Sequence, residues 1–302
     1  MNPGGCAAAE GPVNLTEGWR KWLTGDRGGA HALALAPAGA IFAGLFIVPL
    51  TYFFVISFWT VRARTMRPDF SPQNYVEAVS EYGDVLAFTL AISGTIAIST
   101  TVLAFLFAYA IRFKLGSFAN LFLFLTLITL FGGYLVKIYA WKSILGTDGV
   151  LNKALLSLGM IEEPLGALLY SANGVVVTLT YFLLPFAVLP IYGSLRSIKD
   201  VTIEAARDLG AGPVSVMRDI VLPQCQGGLL TAFTLSFLIS AGDYVTPRFV
   251  GGGAALIGTF IENQFSIAFN WPLGSALAFT TMASTLAVVA AVRFLLVWGL
   301  KP

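Results

Sequence analysis

The sequence contains little charge. Only 11% of its 302 residues are Asp, Glu, Lys or Arg, whereas roughly 25% is usual in soluble domains. Hydrophobic residues make up 57% of the chain, and the mean hydropathy is +0.79. This balance excludes a soluble globular domain and predicts a single integral membrane domain embedded in lipid. The net charge of +2 is too small to indicate a nucleic-acid partner.

Histidine and cysteine are almost absent. His31 is the one histidine, which excludes an HExxH metal site and argues against a His-based catalytic triad. Cys6 and Cys225 lie far apart outside any metal-binding spacing, so free thiols are expected. No GxxxxGK[ST] phosphate-binding loop occurs. The sequence therefore predicts no enzyme activity, no metal and no cofactor in this chain.

Long windows free of charge and histidine are the dominant pattern. A helix needs about 20 apolar residues to cross the hydrocarbon core, and lipid favours helices because they pair their own backbone groups. The windows predict an all-α, polytopic membrane protein with six transmembrane helices. Residues 31–302 form the predicted transmembrane domain, and residues 1–30 a cytoplasmic N-terminal tail. The windows are 33–59, 85–111, 118–136, 164–195, 220–242 and 272–292.

The distribution of basic residues indicates an orientation. Six spans place both termini on the same side of the membrane. With the termini in the cytoplasm, eleven of the 18 basic residues are cytoplasmic, as the positive-inside rule prefers. Arg62, Arg64 and Arg67 follow the first span and argue the other way. The eleven are Arg20, Lys21, Arg27, Arg112, Lys114, Arg196, Lys199, Arg207, Arg218, Arg293 and Lys301.

Charge is concentrated in one segment, residues 196–223, which we name the charged elbow. Eight of the 24 residues from Arg196 to Asp219 are charged. We expect two short helices here: Thr202 caps the first, Gly210 ends it in a left-handed conformation, and Pro213 begins the second. A simple connector between two spans needs only a few residues. The charged elbow is therefore predicted to form a docking surface beneath the bilayer.

The charged elbow resembles the EAA loop of ABC importer permeases. The matching residues are Glu204-Ala205-Ala206, Gly210, Ile220 and Leu222-Pro223, with every gap in agreement. The resemblance implies a type I importer permease fold and a loop that couples transport to separate ATPase subunits. ATP and Mg²⁺ would then be bound by two such partner chains. The coupling residues it implies are Glu204, Ala205, Ala206, Arg207, Asp208, Gly210 and Pro223.

Other stretches resemble the B-type permeases of spermidine/putrescine importers. They are YAWKSILGTDGVLN (139–152), LPFAVLPIYGSL (184–195), GDYVTPRFVGG (242–252) and NQFSIAFNWPLGSALAF (263–279). Lys137 departs from the pattern, because an arginine is expected before Tyr-Ala-Trp, and a lysine loses bidentate geometry. The resemblance implies a multi-pass protein of the bacterial inner membrane that transports polyamines. A different small organic solute (an amino-acid derivative, opine or phosphonate) remains an alternative.

Partners follow from the same resemblance. It implies a second permease that completes the pathway, a periplasmic solute-binding protein, and surrounding membrane lipid. In the outer loop 137–173, binding-protein contacts are an alternative to plain solvation for Asp148, Asn152, Lys153, Glu162 and Glu163. A secondary carrier or channel acting alone would not explain the charged elbow. A membrane enzyme or an assembly scaffold is a second alternative, and the lack of a nucleophile–base or metal set argues against the enzyme.

Four residues form the hypothetical outer mouth of a cation path. Asp243 and Glu262 supply negative charge near membrane depth, where ionisable groups are functional candidates. Tyr244 and Trp271 add aromatic faces, which attract organic cations. The alternative is structural: Asp243 pairs with Arg248 or Lys137 and only fixes helix ends.

Overall fold

The computed structural model describes residues 35–62, 65–166 and 170–299. The predicted tail at 1–30 lies outside these residues. The chain divides into two units, residues 1–55 and 56–302, and each is described by itself. In the described part of the first unit the chain is helical throughout.

The described residues are almost entirely helical. The helices are α1 (Leu35–Ile56), α2 (Gln73–Ser80), α3 (Gly83–Phe113), α4 (Ala119–Leu130), α5 (Tyr134–Leu145), α6 (Val150–Ser157), α7 (Ala172–Ser197), α8 (Asp200–Asp208), α9 (Pro213–Ala241), α10 (Val245–Val250), α11 (Ile257–Ser266) and α12 (Trp271–Gly299). An antiparallel hairpin of β1 (Thr60–Arg62) and β2 (Thr65–Arg67) follows α1.

Five of these helices are long and apolar enough to cross a membrane: α1, α3, α7, α9 and α12. A sixth candidate span consists of two segments, Gly116–Leu130 and Tyr134–Ser157, that meet at 101°. The window at 118–136 predicts one uninterrupted crossing, whereas the structure breaks the helix at Gly132 and Gly133. A window without charged residues indicates that a segment is compatible with lipid. It does not indicate the direction of the helix axis, so this window does not predict the bend.

Lys137 stabilises this break. Its ammonium donates a hydrogen bond to the carbonyl of Thr129 in the last turn of α4, where the helix dipole favours a positive charge. The same ammonium lies 5.1 Å from the ring centroid of Phe182 on α7. Lys137 also lines a cavity of about 210 Å³ between α3, α4, α5 and α7. One cation therefore connects both halves of the broken span to α7.

The centre of the second unit is formed by α3, α7 and α9, which pack extensively against each other. The buried face of α3 carries small residues at intervals of three or four: Thr89, Ser93, Ala97, Thr100, Ala104 and Ala108. Because small side chains allow close backbone approach, such faces are typical of helix contacts in membranes.

The closest crossing of α7 and α9 is at Gly228. A Cβ atom on this residue would lie 2.6 Å from the Pro190 carbonyl oxygen, 2.6 Å from the Ser194 hydroxyl and 3.0 Å from the Ile191 Cα. Backbone atoms cannot yield as a flexible side chain can. The distance between the two spans is thus set by the missing side chain of Gly228.

Candidate functional site

The charged elbow contains two helices, as the sequence predicts. α8 covers Asp200–Asp208, and α9 begins at Pro213 after Gly212. The prediction that Thr202 caps the first helix is wrong. Lys199 occupies the cap position, and the Thr202 amide already donates to the Lys199 carbonyl over 3.0 Å. Asp200 supplies the negative charge of the first turn.

Gly210 ends α8 in the left-handed conformation, with a φ of 86°. The Gly210 amide donates to the Arg207 carbonyl, and the Ala211 amide donates to the Ala206 carbonyl, each over 2.9 Å. This pair of bonds is the Schellman motif, which satisfies the last helical carbonyls. The motif changes the direction of the chain at Gly210 and Ala211, and the second helix of the charged elbow begins two residues later, at Pro213.

Pro223 lies within α9, where the charged elbow ends. Since Pro223 has no amide hydrogen, it cannot close a normal helical bond to the fourth residue before it. The residues before it, Met217–Val221, form a π-helical turn, in which the Leu222 amide bonds to the Met217 carbonyl. The wider turn lets α9 continue through the proline without a gap.

One side of the charged elbow is anchored to the helices above it. Ile203 of α8 and Val216 and Val221 of α9 are buried. They belong to one apolar cluster with Ala104 and Ala108 of α3 and with residues of α7. Ala206 packs partly against the same cluster. The buried side of the charged elbow is therefore packed against α3, α7 and the membrane part of α9.

The opposite side of the charged elbow is open. Glu204, Ala205, Arg207 and Asp208 are exposed. Leu209, at the tip, is 89% exposed, and Val201 and Val214 are also well exposed. Exposed apolar residues surrounded by charges are typical of protein interaction surfaces. The arrangement fits a partner that contacts the tip and leaves the buried side undisturbed.

Asp243 lies at the start of α10 and is buried, with 8% of its surface exposed. Its carboxylate accepts hydrogen bonds from the Val245 amide (3.0 Å) and the Thr246 amide (3.3 Å). Asp243 thus fixes a helix end, as the structural alternative expects. That alternative is wrong about the partner: within the described residues Asp243 forms no ion pair with Arg248 or Lys137.

Glu262 on α11 holds the ion pair with Arg248, with 3.4 Å between Oε1 and Nη1. Its other oxygen, Oε2, is buried and has no hydrogen-bond partner in the described part of the chain. Because Arg248 belongs to the helix that Asp243 caps, the ion pair connects α10 to α11. Sequence patterns do not reveal this pairing, since the two residues lie on separate short helices.

The two aromatic members of the hypothetical mouth are partly exposed. Tyr244 immediately precedes α10, and Trp271 begins α12. The Trp271 ring lies 6.2 Å from that of Phe265 in an edge-on arrangement. Exposed aromatic faces are compatible with cation attraction, which remains a prediction.

The outer loop contains one residue whose expected role changes. Asn152 is fully buried, so it cannot contact a partner there. Its amide donates to the Gly146 carbonyl, and its oxygen accepts from the Leu165 amide, each over 2.9 Å. Asp148 instead lines an open groove of about 500 Å³ together with Tyr139, Lys142 and Tyr170.

Comparison with known proteins supports this architecture. Residues 151–297 match the family model for the binding-protein-dependent transport system inner membrane component. The spermidine/putrescine transport system permease protein PotB of Salmonella typhimurium (strain SL1344) is 32% identical over 76% of this chain and 78% of its own length. The inner membrane ABC transporter permease protein YdcU of Escherichia coli (strain K12) is 30% identical over 70% and 68%.

The fold also matches a solved structure. A bacterial ABC transporter involved in the import of the acidic polysaccharide alginate contains a chain that superimposes with a TM-score of 0.64 at 15% identity. The match covers 93% of this chain and 97% of that one. The chain therefore belongs to the inner-membrane components of binding-protein-dependent transport systems, the permease subunits of ABC importers.

Proposed function

We propose that the charged elbow couples this permease to an ATPase on the cytoplasmic side. The observation that carries the proposal is its two-sidedness: Ile203 and Val216 are buried against the spans, while Glu204 and Leu209 face outward. The contact with the ATPase is formed or shaped by six residues, and Pro223 lies where the charged elbow continues into the membrane part of α9. The six are Glu204, Ala205, Ala206, Arg207, Asp208 and Gly210. ATP and Mg²⁺ are bound by the partner ATPases.

In the proposed mechanism, the charged elbow transmits movement of the ATPases to the transmembrane helices. When ATP closes the ATPase pair, the charged elbow moves with it, and the apolar cluster carries that motion into the packed helices. The pathway then faces outward and receives solute from the binding protein. Hydrolysis releases the pair, and the pathway opens inward.

This arrangement requires both termini and the charged elbow on the cytoplasmic side, with the broken pair counted as one of six spans. The chain that follows the broken pair then reaches α7 along the outer surface. The groove beside Asp148 is available there to the periplasmic binding protein. A second permease completes the pathway, because one set of six helices encloses a gated path poorly.

We infer that the solute is a polyamine or a related small organic amine. PotB, named as a spermidine/putrescine permease, is similar over three quarters of this chain. The carboxylate of Glu262 and the exposed aromatic rings of Tyr244 and Trp271 are groups of the kinds that attract ammonium ions. The alginate importer shares only the fold, at 15% identity, so its solute carries no weight here.

The test is reconstitution. The chain, purified from membranes with its associated subunits and returned to liposomes, should take up radiolabelled spermidine only with ATP and binding protein present. The purified complex should contain an ATPase and a second permease. Uptake by the chain alone would favour a secondary carrier and overturn the proposal.

Removing the Glu262 charge should weaken solute capture. We expect Glu262→Gln to lower spermidine uptake at limiting concentration by roughly 10-fold, the lower end of the range over which fixed charges change association rates. Asp243→Asn keeps an N-cap side chain but removes the charge, so it separates guidance from helix capping. The measurement is initial uptake against spermidine concentration at low and high salt, because salt screens the attraction.

The control is Glu81→Gln, an exposed glutamate after α2, which should leave uptake unchanged. Equal transport by Asp243→Glu and Asp243→Asn, together with normal uptake by Glu262→Gln, would remove support for cation guidance. If Asp243→Asn loses uptake even at saturating spermidine, Asp243 contributes to folding and not to solute capture.

A further inference from the structure

Arg112 connects the second long helix to the charged elbow. It lies in the last turn of α3, and its Nη2 donates to the Asp200 carboxylate over 2.7 Å. The same nitrogen lies 3.4 Å from the Ile198 carbonyl oxygen. Ile198 ends α7 and Asp200 begins α8. One guanidinium therefore contacts both sides of the junction where the fourth span turns into the first helix of the charged elbow.

The environment of Arg112 favours a fixed geometry. Its side chain is 22% exposed, against 63% for Asp200, and its guanidinium carbon lies 4.9 Å from the ring centroid of Phe113. Asp200 is itself favoured in the first turn of α8 by the helix dipole. Charge-assisted hydrogen bonds of this kind are directional and short. The Arg112–Asp200 pair can therefore fix the position of α8 relative to α3, in addition to attracting the two helices to each other.

No other described ion pair performs this connection. The remaining two are Arg218–Asp219, between neighbours in the chain, and Arg248–Glu262, on α10 and α11. The apolar cluster also joins α3 to the charged elbow through Ala104, Ala108 and Ile203. Apolar contacts are non-directional, and packed helices can slide on one another by small shear movements.

We propose that Arg112 is a positioning residue that locks α3 to the charged elbow, so that the second span moves with α8 when the ATPase pushes. The inference rests on the proposed coupling role of the charged elbow. It gives α3 a directional link to the charged elbow, beyond the apolar contacts of the cluster. The helices α7 and α9 need no such link, because the charged elbow is continuous with them in sequence.

The test uses the reconstituted importer with its partner permease, ATPases and binding protein. Spermidine uptake and phosphate release are measured together, and their ratio is compared among Arg112→Gln, Asp200→Asn and the double variant. We expect each single variant to lower uptake per ATP by about 5-fold, with ATP hydrolysis retained. The double variant should be no worse than either single one, because all three lack the same link.

Controls separate positioning from folding. Arg112→Lys should recover part of the ratio, since lysine keeps the charge but loses the fork. Lys114→Gln, which alters an exposed cation two residues further on, should match the wild type. A normal ratio in both single variants, or additive losses in the double variant, overturns the inference. Gly210→Val in the same assay tests the charged elbow itself: if it uncouples transport and Arg112→Gln does not, only the Arg112 link is wrong.

Discussion

Gly210→Val is expected to abolish most ATP-driven uptake while leaving the protein in the membrane. The native residue has a φ of 86°, and a left-handed conformation costs a non-glycine residue roughly 1–2 kcal/mol, with a β-branched side chain among the least tolerated. A strain of that size shifts an equilibrium by about 5- to 30-fold. The chain relieves it by altering the turn, which displaces Leu209 and Ala211 at the tip.

The measurement is spermidine uptake per ATP in the reconstituted importer, alongside the amount of ATPase that copurifies. Gly210→Asn is the matched control, because asparagine tolerates the left-handed region, and it should retain most of the activity. Gly212→Val adds the same side chain at a φ of −72° and should have a smaller effect. Uptake per ATP at the wild-type level in Gly210→Val would refute a mechanical role for this turn.

Gly228→Ala is expected to destabilise the whole membrane domain. The new methyl group would lie 2.6 Å from the Pro190 carbonyl oxygen, so α7 and α9 must separate. Overpacking of this kind costs about 1–3 kcal/mol. For a large domain, that cost lowers the unfolding midpoint in detergent by roughly 2–12 °C.

The neighbouring Gly227 provides the control for this prediction. A Cβ atom at Gly227 meets nothing within 4 Å, so Gly227→Ala should leave the midpoint unchanged, although it makes the same chemical change one residue earlier. Thermal unfolding followed by size-exclusion chromatography distinguishes the two variants. Equal midpoints for both would show that the crossing is looser than the structure indicates.

The sequence was informative where local chemistry determines the backbone. Gly210 and Pro213 were assigned to the turn and to the second helix of the charged elbow from their conformational preferences alone, and the structure confirms both. Five of the six long apolar windows likewise contain a long helix, and the exception is the bent window at 118–136. The prediction for Thr202 is wrong because the helix begins earlier, at Asp200 with Lys199 at the cap position, so the Thr202 amide already lies inside the first turn.

The rest depended on contacts between distant residues. Lys137 departs from the family pattern, which places an arginine there, but the sequence does not predict its contact. The contact with the Thr129 carbonyl forms because α4 and the following helical segment meet at 101°. The pairing of Arg248 with Glu262 required knowing how α10 and α11 meet. Periodicity and capping rules act over a few residues, so they do not determine which of several carboxylates an arginine will reach.

The bend beside Lys137 has an electrical consequence. If the broken pair crosses the membrane as one of the six spans proposed above, the Lys137 ammonium is a fixed charge inside the transmembrane field, and carrying one elementary charge fully across that field is worth roughly 2.3 kcal/mol per 100 mV. Any step of the cycle that straightens the bend must move this charge along the field. Voltage would then act on the protein itself, in addition to any pull on the ion being carried.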